Sequence, residues 1–144
     1  MMKRSRPEAG PCQNVSVLVV EDHDDSRDLL VFALEQAGAT VIATSSVAEA
    51  LKWLKTVRPQ VLVSDLSMPG RDGFSLLREV RSTPELHDLP AIAVTGHTQR
   101  ELLSKAEGAG FQRFMRKPVN ITELCEAVQA LALRRHPEAW REPC

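Results

Sequence analysis

Net charge is the first thing this sequence has little of: 18 Lys and Arg stand against 19 Asp and Glu, leaving −1 at pH 7. Such a balance offers no general electrostatic reason to bind nucleic acid or an anionic membrane. Long hydrophobic runs are absent too, and none approaches the length of a membrane span. The opening stretch MMKRSRPEAGPCQN has basic residues with no apolar core behind them, which excludes a secretory signal. Cysteine is scarce. Cys12, Cys125 and Cys144 show neither a CxxC pair nor a Cys/His zinc spacing. Cys125 falls on the apolar stripe of a predicted helix, the place of a buried free thiol. These features point to a reducing, cytoplasmic setting. The 4 histidines form no HxH or HxxxH pair, so a His-ligated metal is not expected. Neither an internal repeat nor a low-complexity segment occurs.

What is present is an ordinary globular balance, with 43% apolar and 26% charged residues among 144, enough for one domain and one core. Residues 1–14 read as a disordered N-terminal tail and residues 134–144 as a short C-terminal tail. Between them, short apolar runs alternate with helical patterns. The runs cover residues 17–20, 41–43, 61–63, 91–94 and 114–115, and are continuous and rich in Val and Ile, as in parallel strands covered on both faces. The second and fifth are weak in isolation and rest on their place in the alternation.

Five helical stripes follow the runs. Leu29, Leu30, Ala33, Leu34 and Ala37 form the first, ended by Gly38. Val47, Ala50, Leu51 and Leu54 form the second, opened by a Ser46/Glu49 capping box. Phe74, Leu77 and Val80 mark the third, stopped before Pro84. Leu102, Leu103 and Ala106 mark the fourth, and Ile121, Leu124, Val128 and Leu131 the fifth, with Asn120 and Glu123 placed to cap it. Five βα units joined by right-handed crossovers give a doubly wound α/β fold with a parallel sheet.

In such sheets, ligands bind beyond the carboxyl ends of the strands. Four distant segments converge there: Glu21 and Asp22, then Asp65, then Thr95, then Lys117. The stretch VVEDHDDSR brings acidic residues directly to the end of a buried strand. Carboxylates crowded in a crevice resist ionisation, and a hard divalent cation removes the conflict. Mg²⁺ with a lysine and a hydroxyl supplies what phosphoryl transfer needs, and a carboxylate can form an acyl phosphate. Asp24 and Asp25 read as solvated helix-capping residues, and His23 and His97 as bystanders near the rim. Arg100, Arg113 and Arg116 read equally as a partner surface or as solvated charge. Met68, Pro69 and Gly70 form a shaping turn.

The stretches VLVVEDHDDSR, VLVSDLSMPGRDG, AIAVTGH and GFQRFMRKPV resemble the receiver domain of two-component response regulators, over residues 15–133. The separations between the four agree as well as the residue types. The resemblance implies a flavodoxin-like (βα)5 fold with strand order 2-1-3-4-5. Asp65 then matches the phosphoacceptor. Asp22 matches the direct Mg²⁺ ligand, with Mn²⁺ as a substitute ion, and Glu21 its acidic neighbour acting through water. Ser67 would give its backbone carbonyl to the metal. Thr95 and Lys117 match the groups that meet the phosphoryl oxygens. Thr95 and Phe114 match the switch residues, although Phe114 has no hydroxyl. Gly96 stands where Ala is common, and Ser67 and His97 occupy the positions that tune acyl-phosphate hydrolysis.

The implied partners are a sensor histidine kinase or phosphotransfer protein and a downstream protein, without direct nucleic-acid or membrane binding; a phosphorylation-linked dimer stays open. The implied chemistry is self-catalysed phosphotransfer and autodephosphorylation, with no separate small-molecule substrate. A stand-alone regulator is expected, against a receiver excised from a hybrid kinase or larger regulator. An aspartyl phosphatase would need a second Asp where Ser67 stands. A phosphorylation-independent module is the third reading, although such modules usually lose part of the acidic and lysine set kept here.

Overall fold

The computed structural model describes residues 10–68, 70–96 and 100–135, with side chains undescribed at 100, 101, 134 and 135. The elements run β1 (Ser16–Val20), α1 (Asp24–Gln36), β2 (Thr40–Thr44), α2 (Val47–Leu54), β3 (Val61–Asp65), α3 (Gly73–Ser82), β4 (Ala91–Thr95), α4 (Arg100–Ala109), β5 (Arg113–Arg116) and α5 (Ile121–Arg135). All neighbouring strands pair in parallel, in the order β2-β1-β3-β4-β5. This is the flavodoxin-like doubly wound α/β fold expected.

Alternation along the strands builds two cores. Val17, Val19, Val61, Val63, Ile92 and Val94 face α1 and α5, meeting Leu34, Leu124 and Val128. Leu18, Leu62, Ala91 and Ala93 face the other way, against Leu54 of α2, Leu77 of α3 and Ala106 of α4. β3 and β4 are buried throughout. Truncating a side chain such as Leu62 to alanine costs about 2–5 kcal/mol at a site this enclosed. The edge strands β2 and β5 are largely uncovered, which is why their sequences carry weak strand signals.

Several helix ends differ in detail from expectation. Ser46 caps α2, its hydroxyl accepting from the Glu49 N–H at 3.1 Å. The Glu49 carboxylate reaches back to the Ser45 N–H at 2.9 Å, one residue earlier than a capping box requires. Asn120 caps α5 through the Glu123 N–H at 2.9 Å. His23, not Asp24 or Asp25, is the N-cap of α1, and it caps nothing with its side chain. The two aspartates lie in the first turn, where the helix dipole favours them, and Asp24 pairs with Arg27 at 2.6 Å. Gly38 ends the α1 region at φ +101°, a left-handed position suited to glycine.

The expected N-terminal tail is ordered from Gly10 onward; residues 1–9 lie outside the described set. The Cys12 N–H donates to the Ala37 carbonyl at 2.8 Å, and the Cys12 thiol to the Cys125 carbonyl at 3.5 Å. Both cysteines are buried free thiols. An apolar residue inside a Pro/Gly-rich stretch was the available signal. At the far end of the sheet from the strand carboxyl ends, Arg81 donates to the carbonyls of His87, Leu89 and Gly110 at 3.0, 2.7 and 2.8 Å. Among the described residues, no helix is long and apolar enough to cross a membrane.

Candidate functional site

The loops after β1, β3 and β5 meet at the carboxyl edge of the sheet. Glu21 directly follows β1, and its N–H extends the ladder to the Thr44 carbonyl at 3.0 Å. That pairing carries the Glu21 side chain to complete burial. Asp65 is the last residue of β3 and is only 4% exposed. Lys117 follows β5, its N–H donating to the Thr95 carbonyl at 2.8 Å, which ties the ends of β4 and β5 together.

Lys117 is the cation of this rim. Its Nζ lies 2.8 Å from Glu21 Oε1 and 3.5 Å from Asp65 Oδ2. Glu21 Oε1 meets Lys117 as an ion pair without hydrogen-bond geometry, and among the described residues neither it nor the buried Asp22 Oδ1 has a hydrogen-bond donor. Burial pushes the Asp65 carboxyl above its ordinary value, and the Glu21 charge pushes the same way, with a smaller push from Asp22. Lys117 and the Ser67 N–H, 3.3 Å from Asp65 Oδ1, pull it back without cancelling the rise.

Lys117 thus meets two of the three carboxylates. Ligand atoms from Glu21, Asp22, His23 and Asp65 all lie within 4.8 Å of one another. Hard oxygen donors, two of them lacking a hydrogen-bond donor, fit a hard divalent cation. Glu21, Asp22 and Asp65 are the residues that would hold it.

Thr95 is fully buried at the end of β4. Phe114 is partly buried against the core beneath α2, α3 and α4. Ser67 is exposed at the rim. Arg113 and Arg116 are exposed on the edge strand, while His97 and Pro69 lie outside the described residues.

Two supporting residues were not singled out from sequence. Arg27 donates from Nη1 to the Glu21 carbonyl at 3.0 Å, bracing the acidic turn. Gly73 opens α3 beneath Asp65, where a Cβ would collide with the Asp65 carbonyl oxygen and crowd the Leu66 backbone. Its signal was the Asp72-Gly73 pair, in which Asp72 caps α3 by accepting from the Ser75 N–H at 2.9 Å.

Comparison with known proteins agrees with this arrangement. Residues 17–129 match the response regulator receiver domain family. A Leptolyngbya boryana protein, described as an uncharacterized 14.6 kDa protein in the sodA1 3′ region, is 42% identical over 125 residues, or 87% of this chain and 95% of that one. The probable chemotaxis protein CheY of Rhizobium etli is 32% identical over 120 residues, covering 83% of this chain and 93% of its own. The receiver domain of a Francisella response regulator superposes with a TM-score of 0.78 at 28% identity, covering 84% of this chain and 98% of that one. The chain belongs to the response regulator receiver domains of two-component signalling.

Proposed function

We propose that Asp65 accepts a phosphoryl group from the phosphohistidine of a sensor histidine kinase or phosphotransfer protein, in a Mg²⁺-dependent reaction. The observation that carries this reading is the Lys117 ammonium set between buried Glu21 and Asp65, inside a cluster of three carboxylates. Glu21, Asp22, Asp65 and the Ser67 carbonyl would hold the ion, with Mn²⁺ as a substitute. When bound, Mg²⁺ neutralises charge on the transferring oxygens.

The chain's own groups do the rest. An Asp65 oxygen forms the new O–P bond while the N–P bond to the donor imidazole breaks, and the donor nitrogen keeps the electron pair. The Ser67 N–H orients the attacking carboxylate through Oδ1. Lys117 moves its charge onto a phosphoryl oxygen, and the Thr95 hydroxyl donates to another. Water later cleaves the acyl phosphate and inorganic phosphate leaves. No separate small-molecule substrate is turned over.

Phosphorylation adds roughly −1.5 to −2 charge, by analogy with other phosphorylated side chains. Drawing Thr95 and Lys117 toward that charge loosens Lys117 from Glu21 and biases Phe114, so that the face of α4, β5 and α5 is the changed partner-binding surface. A stand-alone role, a cytoplasmic location and a downstream protein partner complete the reading.

Intact mass after incubation with acetyl phosphate, with and without Mg²⁺, tests it. A Mg²⁺-dependent gain of one phosphoryl group, absent in Asp65→Asn, is expected. A gain that persists in Asp65→Asn would place the acceptor elsewhere.

A further inference from the structure

One ligand atom beside the carboxylates is a nitrogen. His23 follows Asp22, and its ring is 70% exposed, yet Nδ1 lies 3.4 Å from Glu21 Oε2 and 3.5 Å from Asp22 Oδ1. The turn that presents the ring is anchored by Glu21 itself, whose Oε2 accepts from the His23 N–H at 3.2 Å. Although His23 is the N-cap of α1, its side chain does no capping, so the imidazole is not committed to the helix.

Adjacent atoms that share one ion at bond lengths of about 2.0–2.1 Å stand about 2.9 Å apart in octahedral and about 3.4 Å apart in tetrahedral sites. The distances from Nδ1 to both carboxylates lie close to the tetrahedral value. An exposed imidazolium–carboxylate contact alone is worth little. As a ligand the same ring changes selectivity, because imidazole favours ions such as Zn²⁺ and Ni²⁺ that an all-oxygen site does not single out.

We propose that His23 contributes Nδ1 as a further protein ligand to the cation site of Glu21, Asp22 and Asp65. The site then takes a nitrogen-seeking first-row divalent ion, of which Zn²⁺ is the representative, more tightly than it takes Mg²⁺. This rests on the reading that the three carboxylates bind a divalent cation at all.

Calorimetric titration of the full chain tests both statements separately. Wild type and His23→Ala are each titrated with Mg²⁺, with Zn²⁺, and with Zn²⁺ in excess Mg²⁺; thermal melts confirm that both are folded. Expected are Zn²⁺ binding tighter than Mg²⁺ binding, with an apparent affinity that falls in excess Mg²⁺, a loss of about tenfold or more in Zn²⁺ affinity in His23→Ala, and Mg²⁺ affinity equal in the two proteins to within about twofold. Wild-type Zn²⁺ affinity in His23→Ala would overturn the proposal while leaving the carboxylate site standing. So would an apparent Zn²⁺ affinity that Mg²⁺ at many times its own Kd leaves unchanged, since two ions sharing one site must compete. Failure of wild type to bind Mg²⁺ would instead remove the carboxylate reading itself.

Discussion

Lys117→Met removes the cation of the rim while keeping most of the side-chain stem. Glu21 is then left fully buried beside Asp65 with no ammonium between them. At an effective dielectric of about 20, attractions across 2.8 and 3.5 Å amount to about 6 and about 5 kcal/mol. Restored desolvation energy offsets much of that, and removing one partner of a buried pair costs about 3–5 kcal/mol in practice. Lys117 retains 22% exposure, which puts the expected loss at the lower end, about 3 kcal/mol. With a urea dependence of about 2 kcal/mol per M, the unfolding midpoint falls by about 1.5 M. Two controls belong to the same assay. Saturating Mg²⁺ recovers more stability in Lys117→Met than in wild type, because it resupplies the missing charge. Lowering the pH narrows the gap between the two proteins, because Asp65, already raised by burial and by the Glu21 charge, takes up a proton. A midpoint change worth less than about 0.5 kcal/mol would mean that Lys117 is a solvated surface lysine and would refute the electrostatic account.

Three further outcomes are expected. Asp65 holds its proton more tightly in the fold than in the unfolded chain, so its ionisation costs stability that is absent below the unfolded value of about 3.9 and grows as pH rises through the raised folded value. Asp65→Asn therefore gains on wild type as pH climbs from about 4 to about 7; equal urea midpoint differences at both ends would reject this. Asp22→Ala weakens Mg²⁺ binding by about tenfold or more in a calorimetric titration, and unchanged affinity would make the acidic pair a mere polar loop. Gly73→Ala forces the α3 start away from the Asp65 carbonyl and costs about 1–3 kcal/mol by thermal melt, with Mg²⁺ affinity falling alongside.

Much of this molecule was legible before folding. β1, β3 and β4 announce themselves because both faces are covered, so every position before the strand-end Asp65 of β3 is apolar or small. β2 and β5 do not, because an edge strand need not be apolar throughout, and Arg113 and Arg116 sit there without penalty. Glu21, Asp65 and Lys117 were found because strand ends fix where a residue lies. The direction of a loop side chain has no comparable rule, which is why His23 read as a bystander although its ring meets two carboxylates. The ordered turn at Cys12 was hidden for another reason. Its Pro/Gly composition matches a tail, and only the long-range bonds to Ala37 and Cys125 make it part of the core.

The Arg81 guanidinium has a consequence for how the sheet opens. By holding the carbonyls of His87, Leu89 and Gly110, it bolts together the segments that feed β4 and β5 at their amino ends. At the opposite edge of the sheet the crowded carboxylates stand at the ends of β1 and of β3, the neighbour of β4. Opening fluctuations therefore start at that charged edge and die out toward the bolted one. In amide hydrogen exchange, β4 and β5 have a fast end and a slow end, and the protection gradient between them runs along the strands rather than across the sheet.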